Sequence, residues 1–189
     1  MTETLYKLTD DKDQTYAGCQ WGEGVNHTAD GQGELCSEHW IHAYRDPLLA
    51  VMMNPIHGNF DLASAHLWQC EAEVGADDGT KVGCTSLTTL ARMELPVVTS
   101  EHRQRFGILC AMEVYHNDSF ITWGDAWLSG KDRSPGAARA ARAAAKAARA
   151  AVRAAAWAAA GAAAEAAAWA AEAEAKLDLV ALAHKAVQA

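Results

Sequence analysis

Most signatures by which a chain announces its chemistry are missing from these 189 residues. There is no CxxC pair, no P-loop, no GxGxxG turn and no Ser-His-Asp order. The cysteines Cys19, Cys36, Cys70, Cys84 and Cys110 are odd in number and widely spaced. They give no disulfide framework, and buried, reduced thiols are expected. Cys36 with His39 and His42 fits no zinc spacing, so no metal is expected, and no cofactor motif is present. No apolar leader opens the chain, and charges interrupt every stretch long enough to span a bilayer, so the expected location is the cytoplasm, without membrane contact. Positive charge is scarce too. Residues 1–130 carry 7 basic and 19 acidic side chains, a net −12, which argues against general affinity for DNA or RNA. The remainder carries a net +4, so body and tail of neighbouring molecules would attract one another. Proline is rare, and none follows Pro135.

Alanine is what the chain has in excess. From Ala137 to Ala175 it is interrupted almost only by Arg, Lys, Glu, Trp, one Val and Gly161. Alanine is the best helix former, Ser134 is placed to cap, and Pro135 suits a first helical turn. A continuous rod to about Lys185 is therefore expected, roughly 75 Å long at 1.5 Å per residue. Arg139, Arg142, Lys146, Arg149 and Arg153 form one basic stripe, continued by Trp157. Glu165, Trp169 and Glu172 follow on a rotated face, opposite almost bare alanine. Two antiparallel copies centred near residue 159 would set Arg153 against Glu165 and Lys146 against Glu172 in one register. A self-associating, oligomerising tail is the expectation; a solvated single helix is the competing reading, because exposed ion pairs contribute under about 1 kcal/mol each. Phosphate binding by the stripe has no base-reading set to accompany it.

The expected organisation is an α+β globular domain over 1–130, a linker over 131–136 and the helical tail over 137–187. Thr4–Thr9 alternates as a strand and ends at DDKDQ. Gln14–Trp21 is β-like, and Gly22–Gly33 reads as a loop. Trp40–Tyr44 reads as a short strand, followed by a helix capped by Asp46, opened by Pro47 and stopped at Asn54-Pro55. His66–Val74 alternates as a strand, Asp77-Asp78-Gly79 is a turn, and Lys81–Leu95 gives one or two further strands. Ser100 and Ser119 are placed to cap two last helices, the second carrying Trp123 and Trp127 one turn apart.

Alternation sets Trp40, His42 and Tyr44 on one face and Ile41 with Ala43 on the other. Such an aromatic-His face suits stacking on a base or nicotinamide ring, with Arg45 in reach of a phosphate. The plainer reading is a core strand with a satisfied histidine, and an Arg45 paired with Asp46 or Glu38. His57 and Asn59 either line a cleft or belong to an ordinary loop. Glu71 and Glu73 read as an acid and base pair or as a solvated strand face.

The run LCSEHWIHAYRDPLLAVMMNP, preceded by YKLTD and QTYAGCQW and followed by HLWQCE and KVGCT, resembles an uncharacterised family of phage and prophage proteins whose domain precedes a low-complexity tail. The likeness covers about Leu5 to Leu95. It implies a viral or mobile-element origin and life in the host cytoplasm, and it brings no established activity. The order of elements is also similar, more distantly, to small ADP-ribosyltransferases of the rifamycin-modifying type. That likeness implies a nucleotide-lined cleft with Tyr6, His42, Tyr44 and His57 as counterparts, although YKLTD stands where those enzymes carry HGT. The expected function is a non-catalytic accessory protein whose head binds a ligand or host factor, in one version a nucleotide-derived signal in counter-defence. The rivals are an ADP-ribosyltransferase and a scaffold or filament former.

Overall fold

Leu5, Lys7 and Thr9 of strand β1 (Thr2–Thr9) alternate with Tyr6 and Leu8, and that alternation sends one set inward. The computed structural model describes residues 2–137, 139 and 177–188. They fall into two compact units, Met1–Arg103 with Asp178–Ala189, and Gln104–Leu177.

In the first unit β1 pairs along its whole length with β6 (His66–Asp77), and β6 with β7 (Val82–Met93), all antiparallel. The far edge of β7 takes two short strands in succession, β4 (Asn26–Thr28) and β5 (Ile41–Ala43). Register shifts at Gln69/Cys70, Glu73/Val74 and Val74/Ala76 bend the long hairpin, as bulges do. The sheet curls until its ends meet. Tyr44, one residue past β5, exchanges backbone hydrogen bonds of 2.8 and 2.9 Å with Tyr6 of β1. Inside the closed sheet lie Leu5, Ala43, Trp68, Cys70, Ala72, Val82, Cys84 and Leu87, with Trp21 entering from the loop before β4. Burying each large apolar side chain here stabilises the fold by about 1.5–3 kcal/mol. Lys7 shares this interior at 8% exposure: its Nζ donates to the His42 carbonyl at 2.8 Å and lies 4.7 Å from the Trp21 ring centre. Residues 14–20 form a small hairpin, β2 (Gln14–Thr15) and β3 (Cys19–Gln20) around a 3-10 turn, rather than one continuous strand. The expected loop over 22–33 holds β4.

Helix α1 (Pro47–His57) starts where the sequence predicts, with Asp46 Oδ1 accepting from Leu49 N at 2.9 Å. It does not stop at Asn54-Pro55. Pro55 has no N–H for the Val51 carbonyl, and Arg103 Nη2 donates to that carbonyl instead, at 3.5 Å. The helix ends where the buried Asn54 side chain takes over the following turn, accepting from Phe60 N and donating to Phe60 O, both at 2.9 Å.

Helix α2 (Ser100–Val114) has Thr99 at its start, with Thr99 Oγ1 accepting from His102 N at 3.1 Å, so the cap lies one residue before Ser100. Helix α3 (Asp118–Leu128) is capped by Asn117 rather than Ser119. Within the second unit Gly124 lies against Met112 and Ile108, and Tyr115, Phe120 and Trp123 pack ring to ring.

The α+β layout is present, but among the described residues there is no long alanine-rich helix. Among the described residues the longest helix is α2, with 15 residues. Ser134 does cap, accepting from Ala137 N at 3.2 Å, and helical backbone begins at Pro135. Lys146, Arg149, Arg153, Trp157, Glu165, Trp169 and Glu172, proposed above to join two tails, lie outside the described residues. A rod continuous to Lys185 is ruled out by Leu177 and Asp178, which are not helical. Asp178 Oδ1 accepts from Ala181 N at 2.9 Å and starts a separate helix, α4 (Leu179–Val187). This last segment has what the alanine run lacks, an apolar face: Leu182, Ala183 and Ala186 are buried, and α4 packs on α1. Among the described residues no helix is long and apolar enough to cross a membrane.

Candidate functional site

β5 runs opposite β7 with Ile41 facing Cys84, His42 facing Gly83 and Ala43 facing Val82. Ala43 belongs to the core and Ile41 packs against it, so His42 and its neighbours Trp40 and Tyr44 lie on the outer side. Trp40 rests on bare backbone. A Cβ at Gly75 would come within 2.7 Å of its indole, and one at Gly83 within 2.9 Å, so only glycine leaves room for the ring. The Trp40 Nε1 donates to Gly33 O at 3.3 Å.

His42 Nε2 donates to the Leu35 carbonyl, which fixes the tautomer and leaves Nδ1 as an acceptor. Burial pushes the His42 pKa below its ordinary 6.5. The Leu35 bond opposes that shift, and the Lys7 and Lys81 ammonium groups add to it.

Tyr44 is buried, and its hydroxyl meets His57 Nδ1, from the last turn of α1, at 2.7 Å; the two rings stack at 23°. Burial, reinforced by the Asp78 charge, holds the phenol pKa far above 10.0, so Tyr44 stays protonated and is able to donate to Nδ1. With Tyr44 as donor, neutral His57 carries its own hydrogen on Nε2. Its pKa is lowered by burial first, then by Lys81, with Asp78 opposing and His42 adding.

Lys81 closes the cluster. It follows the turn at Asp78-Gly79, where Gly79 takes φ +79° and Asp78 Oδ1 accepts from Thr80 N, Thr80 Oγ1 and Lys81 N at 2.6–2.9 Å. Burial alone would raise the Asp78 pKa; those donors and the Lys81 ammonium hold it well below the carboxylate range. Lys81 is only 6% exposed, and its Nζ donates to Asp78 Oδ2 and to Cys36 Sγ, each at 3.2 Å. Burial opposes its charge, but these partners outweigh it and keep the Lys81 pKa above 10.5.

Of the residues singled out from sequence, Tyr44 and His57 meet directly, and Trp40 and His42 lie on the same side of β5 as Tyr44. Tyr6 joins through its backbone pairing with Tyr44. Arg45 turns away to Glu3 and to Asp77, the latter at 3.2 Å, a pairing with neither Asp46 nor Glu38. Cys36, His39 and His42 take separate partners, namely Lys81, Asp30 and the Leu35 carbonyl. Among the described residues no group of three or more His, Cys, Asp or Glu side chains is placed to hold a metal. Glu71 and Glu73 are exposed on β6. Sequence reasoning missed Lys81, read Asp78 only as part of a turn, and weighed Cys36 only as a metal ligand. The available signal was a lysine two residues past a DDG turn in a stretch with few bases. A second cluster was also missed: Asp13 accepts from His66 Nδ1 at 2.7 Å and Trp68 Nε1 at 3.2 Å, and pairs with Arg92.

The fold and the cluster define a small α+β protein with a closed, helix-backed sheet and a polar site on its outer face. No family model, no curated protein and no solved structure matches the chain.

Proposed function

We propose that this chain is a non-catalytic binding protein, an accessory protein of the phage type that its sequence resembles, whose head takes a small phosphate-bearing, nucleotide-like ligand. The observation that carries this reading is the Lys81 charge acting on both His42 and His57, on the side of β5 that also carries Trp40. The surrounding 130 residues are otherwise strongly acidic. A phosphate needs donors and positive charge, and an aromatic face suits a base. His57 presents Nε2–H once Tyr44 occupies Nδ1, and His42 presents an acceptor at Nδ1. Both imidazoles are kept neutral by burial and by Lys81, so an anion arriving beside them favours their protonation.

Binding is therefore coupled to proton uptake and strengthens as pH falls from 7.5 towards 6. Calorimetric titration of the full chain with nucleoside mono- and diphosphates, in buffers of different ionisation heat, tests this. A saturable heat with proton uptake, weakened about tenfold or more in His57→Gln, is expected. The absence of heat and of thermal shift with every nucleotide at millimolar concentration would overturn it.

A further inference from the structure

We propose that Lys7 is a positioning residue of the site on the outer side of β5: from inside the closed sheet its ammonium fixes the His42 backbone and biases the charge of the His42 imidazole. β5 is only three residues long, and His42 is the middle one. One edge of β5 is held by β7, with His42 opposite Gly83. The other edge meets β1 at a single bridge, Tyr6 to Tyr44. Next to that bridge the seam is carried by a side chain. Lys7, the residue after Tyr6, donates from Nζ to the His42 carbonyl at 2.8 Å.

Packing alone gives no reason for a lysine here. Lys7 is nearly all buried, against the Trp21 ring and within reach of the Cys70 and Cys84 thiols. Burial pushes those thiols up to about 12 and about 11, so at neutral pH neither supplies a counter-charge. An ammonium held by one carbonyl and one indole face is costly to bury, and an apolar side chain of similar volume would fill the same space.

What the charge does is found across β5. His42 is faced by Lys7 from β1, by Lys81 and Asp78 from the β6–β7 turn, and by His57 from α1. Burial disfavours its protonated form first; the Leu35 bond opposes this, and the Lys7 and Lys81 charges add to it. His57 responds to Lys81, Asp78 and His42. Lys81 thus acts on both imidazoles, and Lys7 acts on His42. This role rests on the binding reading of His42 given above, but it is measured in the unliganded chain. A failure to bind nucleotides and a failure of Lys7 to act on His42 are therefore separate results.

The test follows the imidazole resonances of the full chain by NMR across neutral and mildly acid pH, in the parent, Lys7→Met and Lys7→Arg. Lys7→Met should raise the His42 midpoint, leaving the ring about threefold more protonated at pH well above it, and should move His57 far less. Lys7→Arg keeps the charge and should return His42 towards the parent midpoint. A lysine with a structural role only would disturb the amide resonances of β5 and leave the His42 midpoint in place; that result would overturn the proposal. The parent alone gives a second decision. Its Lys7 Nζ resonance at pH 7 should be that of an ammonium, and a neutral amine there would overturn the proposal even where Lys7→Met fails to fold.

Discussion

His184, near the end of the chain, donates from Nε2 to Asp46 Oδ2 at 2.9 Å, while the other oxygen of the same carboxylate caps α1. One side chain thus starts the helix that carries His57 and fastens the helix that packs over it. The pair is unequal, with Asp46 side chain 15% exposed and His184 49% exposed. Removing the His184 end should therefore cost under about 1 kcal/mol, as exposed pairs do. Asp46→Ala loses cap and pair together and should cost about 1–2 kcal/mol. Urea unfolding of both single variants and the double variant checks this: His184→Ala should add almost nothing once Asp46 is alanine.

Lys7 inside the closed sheet is a liability for stability. Its amine meets one carbonyl and the face of one indole, and burial pulls its pKa below 10.5. The unfolded chain therefore binds the proton more tightly, and the penalty is full below the folded-state pKa. It disappears as pH rises to the unfolded value. Lys7→Met should stabilise the fold at pH 7 by roughly 1 kcal/mol or more, after allowing for the unsatisfied His42 carbonyl, and raise the melting temperature accordingly. The gap between variant and parent should narrow as melting curves are taken from pH 7 to 10.5.

Much of this fold was legible because periodicity and capping act locally. Asp46 and Pro47 start α1, the HLWQCEAEV alternation marks β6, and Asp77-Asp78-Gly79 makes the turn the sequence predicts. What local pattern could not carry was closure, since the Tyr6–Tyr44 bridge depends on bulges in β6 and β7 far away in sequence. It also could not reveal that Asp178 begins a new helix, because high alanine propensity on one side of it masks a capping residue. The aromatic-His face was found by alternation; its charged half was not. Lys81 and Asp78 enter from the β6–β7 turn, and nothing in the spacing of β5 points to them.

Acid should weaken the first unit before it reaches the carboxylate range. His42 and His57 both have folded-state pKa values below 6.5, so the unfolded chain binds more protons between those values and 6.5. The stability they contribute is complete above 6.5 and is lost as pH falls through that window. Asp13 and Asp78, whose values are lowered from 3.8, add their loss only at lower pH. Urea midpoints measured from pH 7.5 to 5 should decline, and the double variant His42→Gln with His57→Gln should flatten that decline. An unchanged slope in the double variant would place the sensitive groups elsewhere.

The Trp40 ring gives the last test, because two glycines hold it. At Gly75 an added methyl would stand 2.7 Å from the ring, and at Gly83 it would stand 2.5 Å from Leu35 Cδ1 as well as 2.9 Å from the indole. Neither glycine has a left-handed backbone. Substitution therefore acts through space alone, and overpacking of this kind costs about 1–3 kcal/mol. The half-exposed ring can relieve part of that strain by lifting, so Gly75→Ala should fall near the low end. Gly83→Ala should cost more, because it also strikes Leu35, whose carbonyl holds His42. The indole N–H resonance of Trp40 should shift in both variants as its bond to Gly33 O is lost. The imidazole resonances of His42 should move chiefly in Gly83→Ala. If Gly75→Ala disturbs His42 as strongly, the ring and the imidazole respond as one unit, and Trp40 would be a structural lid over the cluster and not a free stacking face.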